Sequence, residues 1–158
     1  MASSPYITPN GMFLMNQELS ERWQRRRVVV QALAAAAAEG DRSENAEYIY
    51  RKKELRELDR RIRYLQKRIP DLKVIHDTPD DPGRVFFAAY IKLETDDGKE
   101  VEYRIVGPDE IDHEKGNISV DSPLARALLG KMVDDEVTIQ ISEGPRQYFI
   151  LQIRYRSD

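Results

Sequence analysis

"ALAAAAAEGDRSENAEY" (residues 32–48) runs from the strongest helix-forming composition available into a glycine and then a polar cluster. The alanines predict a helix reaching about Glu39, and Gly40 closes it, as a glycine just past a helix end does. Upstream, Met12, Met15, Leu19, Trp23, Val30, Leu33 and Ala37 recur at helical spacings, so the first helix is expected from about Gly11 to Glu39. Past the glycine, Asp41 and Glu44 stand three residues apart in the form of a capping box, which predicts a second helix start. The same two carboxylates, displayed at a tip, also suit a divalent cation, and both readings stand at this point. Mg²⁺ takes six oxygens, so the metal reading requires a partner to supply most of the shell.

The second helix carries Leu55, Leu58, Ile62, Leu65 and Ile69 in steps of three and four, with Tyr48 one heptad earlier. That is a coiled-coil seam. Pro70 is expected to end or kink it. Two long helices joined by so short a turn run antiparallel. The second would be roughly 37 Å long at 1.5 Å per residue. Residues 1–75 are thus read as an antiparallel coiled-coil finger with "GDRSEN" at its far end.

The formal net charge is -3, yet residues 51–68 hold nine Lys/Arg against three acids. On a helical wheel Lys52, Lys53, Arg56, Arg60, Arg63 and Lys67 fall within an arc of about 100°, across the helix from the seam. No carboxylate falls within that arc. A solvated face is the ordinary fate of a charge run; an unbroken basic stripe on an acidic protein points instead to a polyanion, met through phosphates and without sequence reading.

"HDTPDDPG" (76–83) reads as a linker. Residues 84–158 then alternate. "RVFFAAYIKLE" and "EVEYRIV" are expected strands joined at "TDDGK", "NISV" a short strand, and "EVTIQI" with "QYFILQIRY" a final hairpin. In "DSPLARALLG", Ser122 as N-cap, Pro123 at N1 and Gly130 at C′ predict a short helix. The fold class is α+β, with a small antiparallel sheet and one covering helix after the finger. His76 and His113 are isolated and read as surface residues, and no nucleophile set or P-loop is present. There is no cysteine, no signal-peptide pattern at the N-terminus and no apolar run of about 18 residues, so a cytoplasmic protein away from the membrane is expected.

"GDRSENAEY", "LDRRIRYL", "YRIVGPDE" and "ISVDSPLARALLGK" closely resemble the bacterial Gre transcript-cleavage factors, over nearly the whole chain. The arginine-dense second helix and Arg42 favour the GreB branch over GreA. The resemblance implies a coiled-coil finger and an FKBP-like C-terminal domain. It further implies that the finger enters the secondary channel of RNA polymerase while the C-terminal domain docks at the rim. The family's tip acids fall on Asp41 and Glu44, with Ser43 beside them, and its docking motif on Asp121, Ser122 and Pro123. The implied cofactor is Mg²⁺ shared with the polymerase active site. The implied partners are bacterial RNA polymerase and the extruded 3′ end of nascent RNA, met by a monomer with no nuclease activity of its own. Two departures stand out. Arg26, Arg27 and Val28 replace the Arg-Pro usual in the first helix, and the tip-proximal stretch is an alanine run; a straighter and thinner helix is expected. Three other readings remain: a channel-occupying regulator without cleavage, a stand-alone RNA-binding coiled coil, and a prolyl isomerase or chaperone. Intact tip acids oppose the first, and the last would need an aromatic-lined pocket.

Overall fold

The computed structural model describes residues 3–40, 45–76 and 78–156. It forms two compact units, one of Met12–Leu72 and one of Met1–Gly11 with Lys73–Asp158. The finger expected over 1–75 thus corresponds to the first unit, while residues 1–11 and 73–75 group with the sheet.

The first unit is a helical hairpin. Helix α1 spans Pro9–Ala37 without interruption and α2 spans Ala46–Arg68. Thr8 precedes the first, its Oγ1 accepting the Gly11 N–H at 3.0 Å, with Pro9 at the first helical position where no donor is needed. The buried side of α1 follows Met12, Met15, Leu19, Arg22, Arg26, Val29, Leu33 and Ala36, all buried or half-buried. This corrects the expected stripe at two points: Trp23 and Val30 are each 39% exposed. Strict heptad spacing passes through Arg22, Arg26 and Val29, and the sequence reading had moved to the nearest apolar neighbours. On α2, Leu58, Ile62 and Leu65 are buried and Tyr48, Leu55 and Ile69 half-buried, as expected, with Arg51 filling the remaining seam position.

Cross-helix pairs set the direction. Arg61 donates to Glu18 at 2.7 and 2.9 Å, Arg25 to Glu54 at 2.7 and 3.2 Å, and the Asn45 side-chain amide to the Ala36 carbonyl at 2.8 Å. Partners on α1 advance as those on α2 retreat, so the helices are antiparallel. Asn45 is also the N-cap of α2, its side-chain oxygen accepting the Tyr48 N–H at 3.0 Å. The capping box expected at Asp41 and Glu44 falls on residues 41–44, which lie outside the described residues; the cap that α2 shows is Asn45. At the other end, the α-helix gives way to a tight 3₁₀ turn, Ile69–Asp71, around Pro70, which has no N–H to continue the ladder.

The second unit holds β1 (Tyr6–Ile7), β2 (Lys73–Val74), β3 (Tyr90–Thr95), β4 (Glu100–Val106), β5 (Asn117–Ser119), the short helix α3 (Pro123–Leu128), β6 (Glu136–Ile141) and β7 (Gly144–Arg154). Its main sheet has the order β5-β4-β3-β7-β6. It is mixed, correcting the expected antiparallel sheet, because β5 lies parallel to β4. The ten residues between them pass through a 3₁₀ turn at Pro108–Glu110 and return the chain to the start of the same edge. The strand expected to begin at Arg84 begins only at Tyr90, since Ala88 takes φ 75 and breaks the extended run. One apolar core joins β3, β4, β6 and β7 to α3 through Ile91, Leu93, Ile105, Val137, Ile150, Ala125 and Leu128.

Residues 4–8 form a strap on this unit. β1 pairs in parallel with β2, and Glu110 accepts the Thr8 N–H at 3.1 Å, the Thr8 hydroxyl and the Gly107 N–H at 2.8 Å. Gly107 is required here: a Cβ would stand 1.9 Å from the Tyr6 carbonyl oxygen. Gly107→Ala is expected to destabilise the sheet unit by about 1–3 kcal/mol by forcing the strap away, measured as a lower thermal midpoint.

Acid should loosen the hairpin. The Arg61 guanidinium hydrogen-bonded to Glu18 holds its carboxyl down to about 2, against an ordinary 4.5, with partial burial opposing and Arg22 assisting. A depressed carboxyl stabilises the fold above its unfolded value, and that contribution is lost as pH falls from about 4.5 toward 2. Glu18→Gln should lower hairpin stability near neutral pH by about 1 kcal/mol. Followed by helical circular dichroism on heating, its deficit against the native chain should shrink across that acid window.

Candidate functional site: a basic face behind the hairpin tip

Helix α2 divides its cations into two populations. Those turned toward α1 are used inside the hairpin. Arg51 pairs with Glu47 at 2.8 Å and Glu54 at 3.0 Å, and Arg61 with Glu18. The paired carboxylates raise the Arg51 guanidinium above its ordinary value, and Arg25 and Arg51 lower Glu54. Asp59, at the border of the stripe, turns to Arg26 of α1 at 2.7 Å.

The second population is the predicted stripe. Lys52, Lys53, Arg56, Arg60, Arg63 and Lys67 are all exposed. None forms an ion pair with a described residue; Lys52 places its ammonium 5.8 Å from the Tyr48 ring centroid. Glu57, four residues from Lys53, is exposed and does not close onto it. From Lys52 to Lys67 the face extends roughly 22 Å along the helix axis. Neighbouring charges on it lie within about one Debye length of each other, about 8–10 Å, so their potentials add. A chain of phosphates laid along this face would neutralise them and release counterions.

Asp41, Ser43 and Glu44, expected at the tip, precede the stripe in sequence and lie outside the described residues. α1 ends at Ala37, two residues short of the expected Glu39; Gly40 follows with φ 130, and Asn45 caps α2. Among the described residues, no group of three or more His, Cys, Asp or Glu side chains could hold a metal ion, and no helix is long and apolar enough to cross a membrane. His76 and His113 are exposed.

The Asp121–Pro123 loop lies between β5 and α3 in the sheet unit. Ser122 caps α3 as expected, its Oγ accepting the Ala125 N–H at 3.2 Å, and Pro123 is exposed at the first helical position. The Asp121 N–H donates to Ser119 Oγ at 3.0 Å. Its carboxylate accepts the backbone N–H of Ser4 at 2.9 Å and the Ser4 hydroxyl. Sequence reading missed Ser4, because nothing local in "ASSPY" signals a partner 117 residues away.

The family model for the N-terminal part of transcription elongation factors matches residues 5–74, and that for the GreA/GreB C-terminal part matches residues 79–155. Transcription elongation factor GreB of Pseudomonas aeruginosa is 53% identical over 98% of this chain and 92% of its own length. GreB of Yersinia pestis is 54% identical over 99% of this chain and 92% of its own. A crystal structure of the GreA factor homolog Gfh1 from Thermus thermophilus aligns at 20% identity with a TM-score of 0.42, covering 94% of this chain and 97% of that one. Two family models together spanning nearly the whole chain, and relatives above half identity over more than nine-tenths of both chains, place it among the bacterial Gre transcription elongation factors, on the GreB branch.

Proposed function

We propose that this protein stimulates RNA polymerase to cleave the nascent transcript in backtracked or arrested complexes, so that elongation resumes. The hairpin enters the secondary channel tip first, and the sheet unit, FKBP-like in fold, docks at the channel rim through Asp121, Ser122 and Pro123. The observation that supports this reading beyond family membership is the sorting of cations on α2. The hairpin consumes the inward arginines, and six exposed cations are left along one face of α2.

Asp41 and Glu44 are the residues that would hold a Mg²⁺ ion, with Ser43 beside them. Two carboxylates suit a shared site, because the hard cation prefers oxygen and commonly takes one or two carboxylates plus phosphate oxygens and water. When bound, the ion supplies charge stabilisation to an in-line phosphodiester hydrolysis at a two-metal centre. This chain's own part is to deliver and orient the two carboxylates, while the stripe holds extruded RNA by its phosphates. The protein acts as a monomer in the cytoplasm and activates the polymerase's endonucleolytic activity without having one.

Asp41→Asn and Glu44→Gln preserve the size of the tip and remove its charge. Each is expected to abolish stimulated cleavage of backtracked complexes while polymerase binding, measured by competition, stays within about twofold, since the docking residues are untouched. Undiminished cleavage by the double variant would end the metal-holding role of the tip.

Neutralising Lys53, Arg56, Arg60 and Lys67 together should reduce cleavage of long-backtracked complexes most. A short extruded end meets only the tip, whereas a longer one follows the helix past successive cations. Across a salt series, the logarithmic slope of apparent affinity for long-backtracked complexes should fall by about 0.7 for each single-strand phosphate contact removed. Equal losses on short and long substrates would show that the stripe serves something other than RNA.

A further inference from the structure

Asp121 receives both hydrogen bonds that Ser4 can donate. The Ser4 backbone N–H reaches Oδ2 at 2.9 Å and its hydroxyl reaches Oδ1, so each carboxylate oxygen faces the same residue. A carboxylate has about four acceptor positions, two of which serve this clasp, and hydrogen bonds to an ionised acceptor are the stronger kind. The donor is itself anchored. Directly after Ser4, the Pro5 carbonyl accepts the Lys73 N–H at 2.7 Å, and Thr8 is held by Glu110. On the other side, the Asp121 N–H is bound to the buried Ser119, and the next two residues are the cap and first position of α3. Ser4 therefore ties the Asp121 side chain to the anchored N-terminal strap through one backbone and one side-chain donor.

We infer that Ser4 is a positioning residue for the polymerase-docking loop: its paired donation to Asp121 holds the Asp121–Pro123 corner in the geometry that polymerase meets. This rests on the docking role proposed above for that corner. A loop ordered before association does not pay its ordering entropy on binding, so loss of the clasp should appear as weaker affinity. It also follows that a substitution at Asp121 acts partly by releasing the N-terminal strap.

The test is competition binding of full-length Ser4→Ala, Ser4→Thr, Asp121→Ala and the Ser4→Ala/Asp121→Ala double variant to core RNA polymerase, with transcript cleavage titrated for each. Ser4→Ala is expected to weaken binding about three- to tenfold, the scale of one ordinary net hydrogen bond, since the backbone N–H of residue 4 still donates to Asp121. Ser4→Thr, which keeps the hydroxyl, should restore it, and the double variant should bind no more weakly than Asp121→Ala alone. The loss should raise the concentration for half-maximal cleavage and not lower the saturated rate. If Asp121→Ala weakens binding while Ser4→Ala binds like the native chain, or if the two losses add, the positioning role is overturned and the docking role of the loop stands. If neither substitution changes affinity, the docking reading itself falls, and the inference with it.

Discussion

The hairpin depends on a seam that is only partly apolar. Strict heptad spacing puts Arg22 and Arg26 on the buried side of α1 and Arg51 on that of α2, among Met15, Val29, Leu58, Ile62 and Leu65. A guanidinium at such a position loses hydration and must recover it from a carboxylate. Each has one within reach: Glu18 for Arg22, Asp59 for Arg26, and Glu47 with Glu54 for Arg51. Individual pairs at this exposure contribute little; what they supply is register and direction, because Glu18–Arg61 and Arg25–Glu54 can form together only in one antiparallel alignment.

That requirement determines the electrostatics of the whole hairpin. Of the acids between residues 51 and 68, Glu54 and Asp59 are committed to arginines of α1 and Arg51. The outer cations are left facing water with no described carboxylate closing on them. An unmatched positive face is thus a by-product of how the seam is satisfied as well as of composition. It is suited to a phosphate chain because nothing internal must be displaced for one to bind.

The sheet unit shows the complementary device, polar anchors that join distant parts of the sequence. Glu110 gathers the N–H groups of Thr8 and Gly107, and Asp121 gathers two donors from Ser4. Both anchors act on residues 4–8. That segment's contribution comes from Ile7, wholly buried, from the Tyr6 ring beside Phe87, and from hydrogen bonds to two carboxylates. Gly107 completes the arrangement by leaving room for the Tyr6 carbonyl.

By itself the sequence determined the elements whose signals are local: both long helices, the interruption at Pro70, the hairpin strands, the Ser122–Pro123 helix start and the face carrying the six cations. Each rests on spacing or on the conformational limits of a single residue, so a one-dimensional reading reaches it. Even there the α1 seam was displaced to Trp23 and Val30, since a heptad position filled by arginine carries no apolar signal. Only the tertiary structure decided which arginines are consumed and which stay outward, that β5 lies parallel to β4, that Asn45 caps α2, and that Ser4 grips Asp121. Those outcomes depend on which groups compete for the same donor or acceptor, and the competitors stand tens of residues apart, brought together only when the chain has closed.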